Sequence, residues 1–173
     1  CRAKTQKCPG WWTAFWMQAP ANGATLDPRR SGVECDIFES FDPGRYIVHA
    51  FHYNGCGKEY KRFNAQRAPY TPTPDSAYRV NYPISLDEFH TFGLLWEPDG
   101  YTVFVDGKQS GHKVGKFGDE VVSETEEFIL VSTELKGFRK NNAPEPEVVA
   151  AYEAGDEFVV DYVRVYDIVD SGD

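Results

Sequence analysis

The sequence predicts an all-β fold, an antiparallel β-sandwich or jelly roll, from three observations. Short runs rich in β-branched and aromatic residues recur along the chain, and Gly, Pro, Asn and Asp punctuate them. No window of twelve or more residues carries a helical stripe. Many short strands separated by turn signals are the pattern of a sandwich.

The runs are 33–41, 45–53, 91–96, 101–105, 127–135 and 157–166. Glu97-Pro-Asp-Gly100 predicts a hairpin between the third and fourth, and Asp106-Gly-Lys108 turns the chain again. Residues 1–7 read as part of a strand already under way, and 85–89 make at most one helical turn. Two stretches break the rhythm: 60–82, with Pro69, Pro72 and Pro74, and 136–153, with Asn141-Asn-Ala-Pro-Glu-Pro146. Both predict long loops of the kind that form functional rims on a sandwich. With no internal repeat, low-complexity tract or second boundary, residues 1–173 are expected to form one domain. That length suffices to bury about two thirds of the unfolded surface.

Aromatic residues make up 15% of the chain, as 12 Phe, 10 Tyr and 4 Trp. So many rings suit both a sandwich core and a surface that stacks on sugars. A formal charge of −9 argues against a nucleic-acid partner and mildly against a polyanionic substrate. No stretch approaches the roughly 18 apolar residues of a membrane span. The chain opens with Cys1 rather than Met, as a mature end or a fragment of a longer protein does. Cys1, Cys8, Cys35 and Cys56 allow three complete pairings, and no zinc-like spacing is present. Four free thiols and a single disulfide both stay open; if a bond forms, Cys8 and Cys56, both at turns near one rim, make the most plausible pair. Cys35 is expected to face the core unpaired.

Gly32-Val-Glu-Cys-Asp-Ile-Phe-Glu-Ser40 carries the candidate chemistry. Side chains alternate along a strand, so Glu34 and Asp36 share a face while Val33, Cys35 and Ile37 point to the other sheet. Plain alternation turns Glu39 inward, where an unpaired charge costs several kcal/mol, roughly. One extra residue, a β-bulge at Ile37-Phe38, returns Glu39 to the face of Glu34 and Asp36. Three carboxylates on one face meet the need of glycoside hydrolysis for one protonated and one ionised acid at the same pH. The other reading is a solvent-facing edge strand whose acids only keep it soluble.

The flanking sequence decides between them. Trp12-Thr-Ala-Phe-Trp16, Glu34-Cys-Asp-Ile-Phe-Glu39, Phe89-His-Thr-Phe-Gly-Leu-Leu-Trp-Glu-Pro-Asp-Gly-Tyr-Thr-Val-Phe-Val-Asp-Gly107 and Asp161-Tyr-Val-Arg-Val-Tyr166 follow one another along nearly the whole chain. In these marks the chain resembles family 16 of the glycoside hydrolases, which includes laminarinases, lichenases, agarases and carrageenases. The resemblance implies a concanavalin-like jelly roll whose concave sheet forms the cleft. It implies Glu34 as nucleophile, Asp36 as assisting acid and Glu39 as general acid/base, in the bulged form of laminarinases and agarases. It also implies that the strands which usually open such a domain are missing here, leaving two sheet edges exposed. A monomer is expected unless those edges pair with another chain, and a secreted or periplasmic location follows from the substrate class.

The next strand should lie beside the catalytic one. Alternation puts Val48, Ala50 and His52 on one face, and the small Ala50 suits a crowded cleft, so His52 is assigned to its floor and His49 to structure. Trp12 and Trp16, four apart on a strand, share a face, and the resemblance places them at the cleft wall as sugar platforms, with core packing as the alternative. It likewise turns Ser132 and Glu134 toward substrate. Arg29, Arg30, Lys58, Lys61 and Arg62 flank the catalytic strands and read as solvated surface. No cofactor is required for catalysis; a structural calcium at Asp161 is what some family members hold. The leading expectation is an endo-acting β-1,3- or mixed-linkage glucanase acting on polysaccharide. The alternatives are a hydrolase of agar, porphyran or carrageenan, and a non-catalytic sugar-binding jelly roll.

Overall fold

The computed structural model describes residues 1–8, 10–25, 27–42, 46–53, 61–63, 79–80, 85, 88–114, 122–135 and 146–169. Its strands are β1 (Arg2–Lys4), β2 (Trp11–Gln18), β3 (Glu34–Asp42), β4 (Tyr46–Tyr53), β5 (Lys61–Phe63), β6 (Arg79–Val80), β7 (His90–Glu97), β8 (Gly100–Val105), β9 (Lys108–Val114), β10 (Phe128–Leu135) and β11 (Val159–Tyr162). Two short helices, α1 (Pro28–Ser31) and α2 (Pro146–Glu153), complete the described elements. One sheet runs β11-β1-β7-β8-β9 and the other β10-β2-β3-β4-β5, with β6 on the far part of β4. All pairings among the described strands are antiparallel. The predicted sandwich is therefore the fold.

Turn chemistry sets the register of the first sheet. Val105 faces Lys108 across the two-residue turn Asp106-Gly107, whose φ angles of 49° and 74° are both positive. Such a turn matches the twist of the strands it joins, and Asp and Gly tolerate that backbone best. Asp106 also accepts a 2.8 Å bond from the Thr91 amide, fastening the turn to β7. The Glu97–Gly100 hairpin forms as expected, with Trp96 opposite Tyr101.

Phe38, Phe51, Phe92 and Tyr101 fill the space between the sheets and are at most 2% exposed. The Phe38 and Phe92 ring centroids lie 4.2 Å apart, and Phe158 meets Phe38 edge-on at 6.3 Å. Phe51 stacks on Tyr101 at 5.0 Å, and the Tyr101 hydroxyl accepts a 2.8 Å bond from the Ser123 amide. Burying four rings of this size contributes on the order of 2–3 kcal/mol each.

His49 is fully buried in the same layer, between Ile37 of β3 and Ser110 of β9. Burial lowers its pKa from 6.5 to about 4, so the ring is neutral in the fold. An unfolded chain binds a proton here first as pH falls. The neutral ring's contribution is thus complete above about pH 6.5 and lost as the pH drops toward about 4. Urea midpoints across this window should fall more steeply for wild type than for His49→Gln; parallel curves would show that His49 titrates normally.

Several expectations need correction. The last strand ends at Tyr162, not 166, because its ladder with β1 ends at the pair Arg2–Tyr162; Val165, Tyr166, Ile168 and Val169 are more than 60% exposed. β9 was not expected, and 60–82 contains β5 and β6, the rest of that stretch lying outside the described residues. Within 136–153 the described part is α2, a helix of eight residues. Cys8 carries a free thiol, so the Cys8–Cys56 disulfide is not made; Cys56 lies outside the described residues. The Cys8 amide is instead fixed to Asp156 at 2.9 Å, and burial followed by the Asp156 charge raises the thiol pKa. Cys35 is buried and free, as expected. Lys58, like Cys56, lies outside the described residues.

Among the described residues, β10 and β11 each have a strand neighbour on one side only. Ile129 and Val131, on the face of β10 that looks between the sheets, are 38% and 40% exposed. An apolar groove lined by Phe15, Met17, Phe92, Leu94 and Ile129 opens there.

Candidate active site

β3 enters the site from a constrained corner. Gly32 has φ +86°, and a Cβ on it would stand 2.1 Å from the Ala19 Cβ. No L side chain fits both restrictions. The next amide, Val33, donates to Glu127 Oε1 at 2.9 Å. Burial raises the Glu127 carboxyl pKa.

From this corner Glu34 pairs with His52 and Asp36 with Ala50, after which the register changes and Glu39 pairs with Val48. On the other side Trp16 pairs with Asp36 and Phe15 with Phe38, skipping Ile37. This is the bulge the sequence predicts, at the predicted place. It brings Glu34, Asp36 and Glu39 to one face, with Asp36 4% and Glu39 6% exposed and Glu34 half-buried. Small residues flank them, Ala50 beside Asp36 and Ala14 beside Glu39, so the crowding expected from Ala50 holds.

Each acid has its own polar neighbour. Gln18 Nε2 donates to Glu34 Oε2 at 2.9 Å, with Asn22 Nδ2 at 3.5 Å from the same oxygen. His52 Nε2 lies 2.9 Å from Asp36 Oδ2, and both side chains are about one-tenth exposed or less. Trp12 Nε1 donates to Glu39 Oε1 at 3.0 Å. Glu34, Asp36 and His52 also place one N or O atom each within 4.8 Å of one another, a spacing compatible with a bridging cation. Asp36 and His52 are already in contact with each other there.

The structure brings the remaining candidates to this face with one exception. β10 lies beside β2, where Trp16 Nε1 donates to Ser132 Oγ at 3.1 Å and Glu134 pairs with Trp12. Trp12, Trp16, Ser132, Glu134 and His52 therefore line one surface with the three acids. Asp161 does not; it sits in β11 of the other sheet, its Oδ2 2.6 Å from an Arg2 guanidinium nitrogen. Among the described residues, no group of three or more side-chain metal ligands includes Asp161. Gln18 and Asn22 were not singled out from the sequence. Gln18 is readable in hindsight, being two residues beyond Trp16 on the same strand face. Asn22 lies in the turn after β2, and only the folded chain brings it to Glu34.

Known proteins share this architecture. An endo-beta-1,3-glucanase from Pyrococcus furiosus is 26% identical with a TM-score of 0.56, over 84% of this chain and 52% of that one. LamAcat from Zobellia galactanivorans is 17% identical with a TM-score of 0.55, over 84% and 57%. The kappa-carrageenase from Pseudoalteromonas carrageenovora is 19% identical with a TM-score of 0.52, over 78% and 48%. This chain thus spans about half the length of these proteins. No curated protein matches it. Residues 1–117 match the description Glycosyl hydrolases family 16, and with the acids, bulge and sandwich already in place, the chain belongs to that family.

Proposed function

We propose that this chain carries the catalytic face of a retaining, endo-acting hydrolase of β-linked polysaccharide, with a β-1,3- or mixed-linkage glucan as substrate. The observation that carries the proposal is the bulged register, which returns Glu39 to the face of Glu34 and Asp36. A solubilising edge strand has no use for such a register, and β3 is interior to its sheet, between β2 and β4. The glucan assignment is supported by the family, by the likeness to the Pyrococcus furiosus glucanase, and by the −9 charge, which disfavours sulfated polymers. A polymer of this kind is met outside the cytoplasm.

In this reading Glu34 attacks the anomeric carbon with the carboxylate oxygen that Gln18 and Asn22 do not hold, forming a glycosyl ester. The bond to the departing sugar oxygen breaks as Glu39 gives that oxygen its proton. Glu39, now a carboxylate, takes a proton from water, whose oxygen displaces Glu34 and frees the β-anomer. Trp12, donating to Glu39 Oε1, fixes the orientation of the carboxyl in both halves. Asp36, held by His52, stands between the two glutamates on the strand. Trp16 offers a ring face to a bound sugar, with Ser132 beside it and Glu134 beside Trp12 as hydroxyl partners.

Proton NMR of early laminarin digestion should show the β-anomer first, the α-anomer growing only by mutarotation. An initial α-anomer would mean inversion and overturn the nucleophile. Parallel digestion of lichenan, agarose, porphyran and carrageenan tests the substrate: cleavage of a galactan with laminarin untouched would replace the glucan assignment while leaving the chemistry.

A further inference from the structure

Every bulge sets two residues of one strand against one of its neighbour. Between the pairs Asp36–Ala50 and Glu39–Val48, the two are Ile37 and Phe38 and the one is His49. Ile37 is paired in neither the β2 nor the β4 ladder, and its side chain is 2% exposed. The carbonyl of Ile37 is instead met by the His49 ring, Nδ1 to O. A carbonyl only accepts, so Nδ1 carries the hydrogen. Nε2 of the neutral ring then accepts from the Ser110 hydroxyl, 2.9 Å away on β9 of the opposite sheet. The imidazole thus spans the core from the bulge to the other sheet, with one hydrogen bond at each end.

We infer that His49 is the positioning residue of the active face, holding the extra residue Ile37 in β3 so that Glu39 projects beside Glu34 and Asp36. The inference rests on the proposed role of Glu39 as acid/base. A one-residue slip of a strand exchanges its two faces. Loss of the cap on Ile37 therefore favours registers in which Glu39 leaves the cleft, although His49 touches no substrate. Ile37 and Phe38 themselves belong to the buried core.

The two amide substitutions separate this role from general support. Asn places an N–H near the position of Nδ1 and abandons Ser110; Gln places its amide near Nε2 and abandons Ile37. Each loses one of the two bonds, so their urea midpoints should be similar. His49→Gln should lower kcat on laminarin roughly 10²-fold, the scale of a misplaced catalytic group, with KM within about twofold. His49→Asn and Ser110→Ala should each stay within about threefold of wild-type kcat. Equal kcat losses in Gln and Asn, a loss expressed in KM, or a tenfold loss in Asn or in Ser110→Ala would each overturn the inference. Amide exchange over 37–39 gives a reading independent of activity: it should be faster in Gln than in Asn. If wild type cleaves no β-glycan, the proposed function fails by itself, and equal exchange in the two variants would still refute the hold on the bulge.

Discussion

Glu34→Gln and Glu39→Gln should each lower turnover of laminarin by roughly 10³-fold or more, with little change in thermal stability. Each amide keeps the shape of the acid it replaces, and neither site packs in the core between the sheets. Glu34→Gln removes the attacking carboxylate, so no glycosyl-enzyme forms. Glu39→Gln removes the proton donor of the first step and the base of the second. The two defects separate with an aryl glycoside whose departing phenolate needs no proton. That substrate should restore formation of the glycosyl-enzyme in Glu39→Gln and do nothing for Glu34→Gln. Asp36→Asn should lose less, because Asp36 makes no bond to the substrate in either step. Near-normal rates in either glutamate variant would remove it from the mechanism.

Phe38→Ala should destabilise the fold by about 3–5 kcal/mol, the cost of deleting a buried ring and leaving part of its volume empty. The side chain is 0% exposed and meets Phe15, Phe92 and Phe158, so no neighbour can close the space without leaving its own contacts. The loss is a large share of the roughly 5–15 kcal/mol that holds a domain together. Val165→Ala, at a residue 76% exposed, should change stability by about 0.5 kcal/mol or less. Urea denaturation of both reads the contrast; a loss below about 1 kcal/mol for Phe38→Ala would show that the aromatic layer repacks.

What the sequence made legible was whatever depends on periodicity along one strand. Alternation placed Trp12 with Trp16 and His52 with Ala50, and a buried charge at Glu39 was costly enough to imply the bulge. The part that was not legible depends on partners remote in the chain. β9, with the sequence Lys-Gln-Ser-Gly-His-Lys-Val, has little intrinsic strand preference and exists because β8 offers it a ladder. α2 is shorter than the window in which a helical stripe can be recognised. Assigning His49 to structure was sound for its face, yet its contact with Ile37 appears only when two strands lie side by side. The free Cys8 thiol was not legible either, since proximity to a rim carries no information about which group, here the Asp156 carboxylate on the Cys8 amide, holds a turn.

The indole of Trp12 has an optical consequence. Its N–H bond to Glu39 places a chromophore in direct contact with the proposed acid/base, and an excited indole is sensitive to the charge at its nitrogen. Emission from this ring should therefore follow the protonation of Glu39 without any label. In the free protein, the pH midpoint of the part of the emission abolished by Trp12→Phe should coincide with one limb of the kcat/KM profile. A Trp12-dependent signal that persists unchanged in Glu39→Gln would show that the indole reports some other group. The hydrogen bond that restrains the acid would then serve as a built-in probe of its ionisation during turnover.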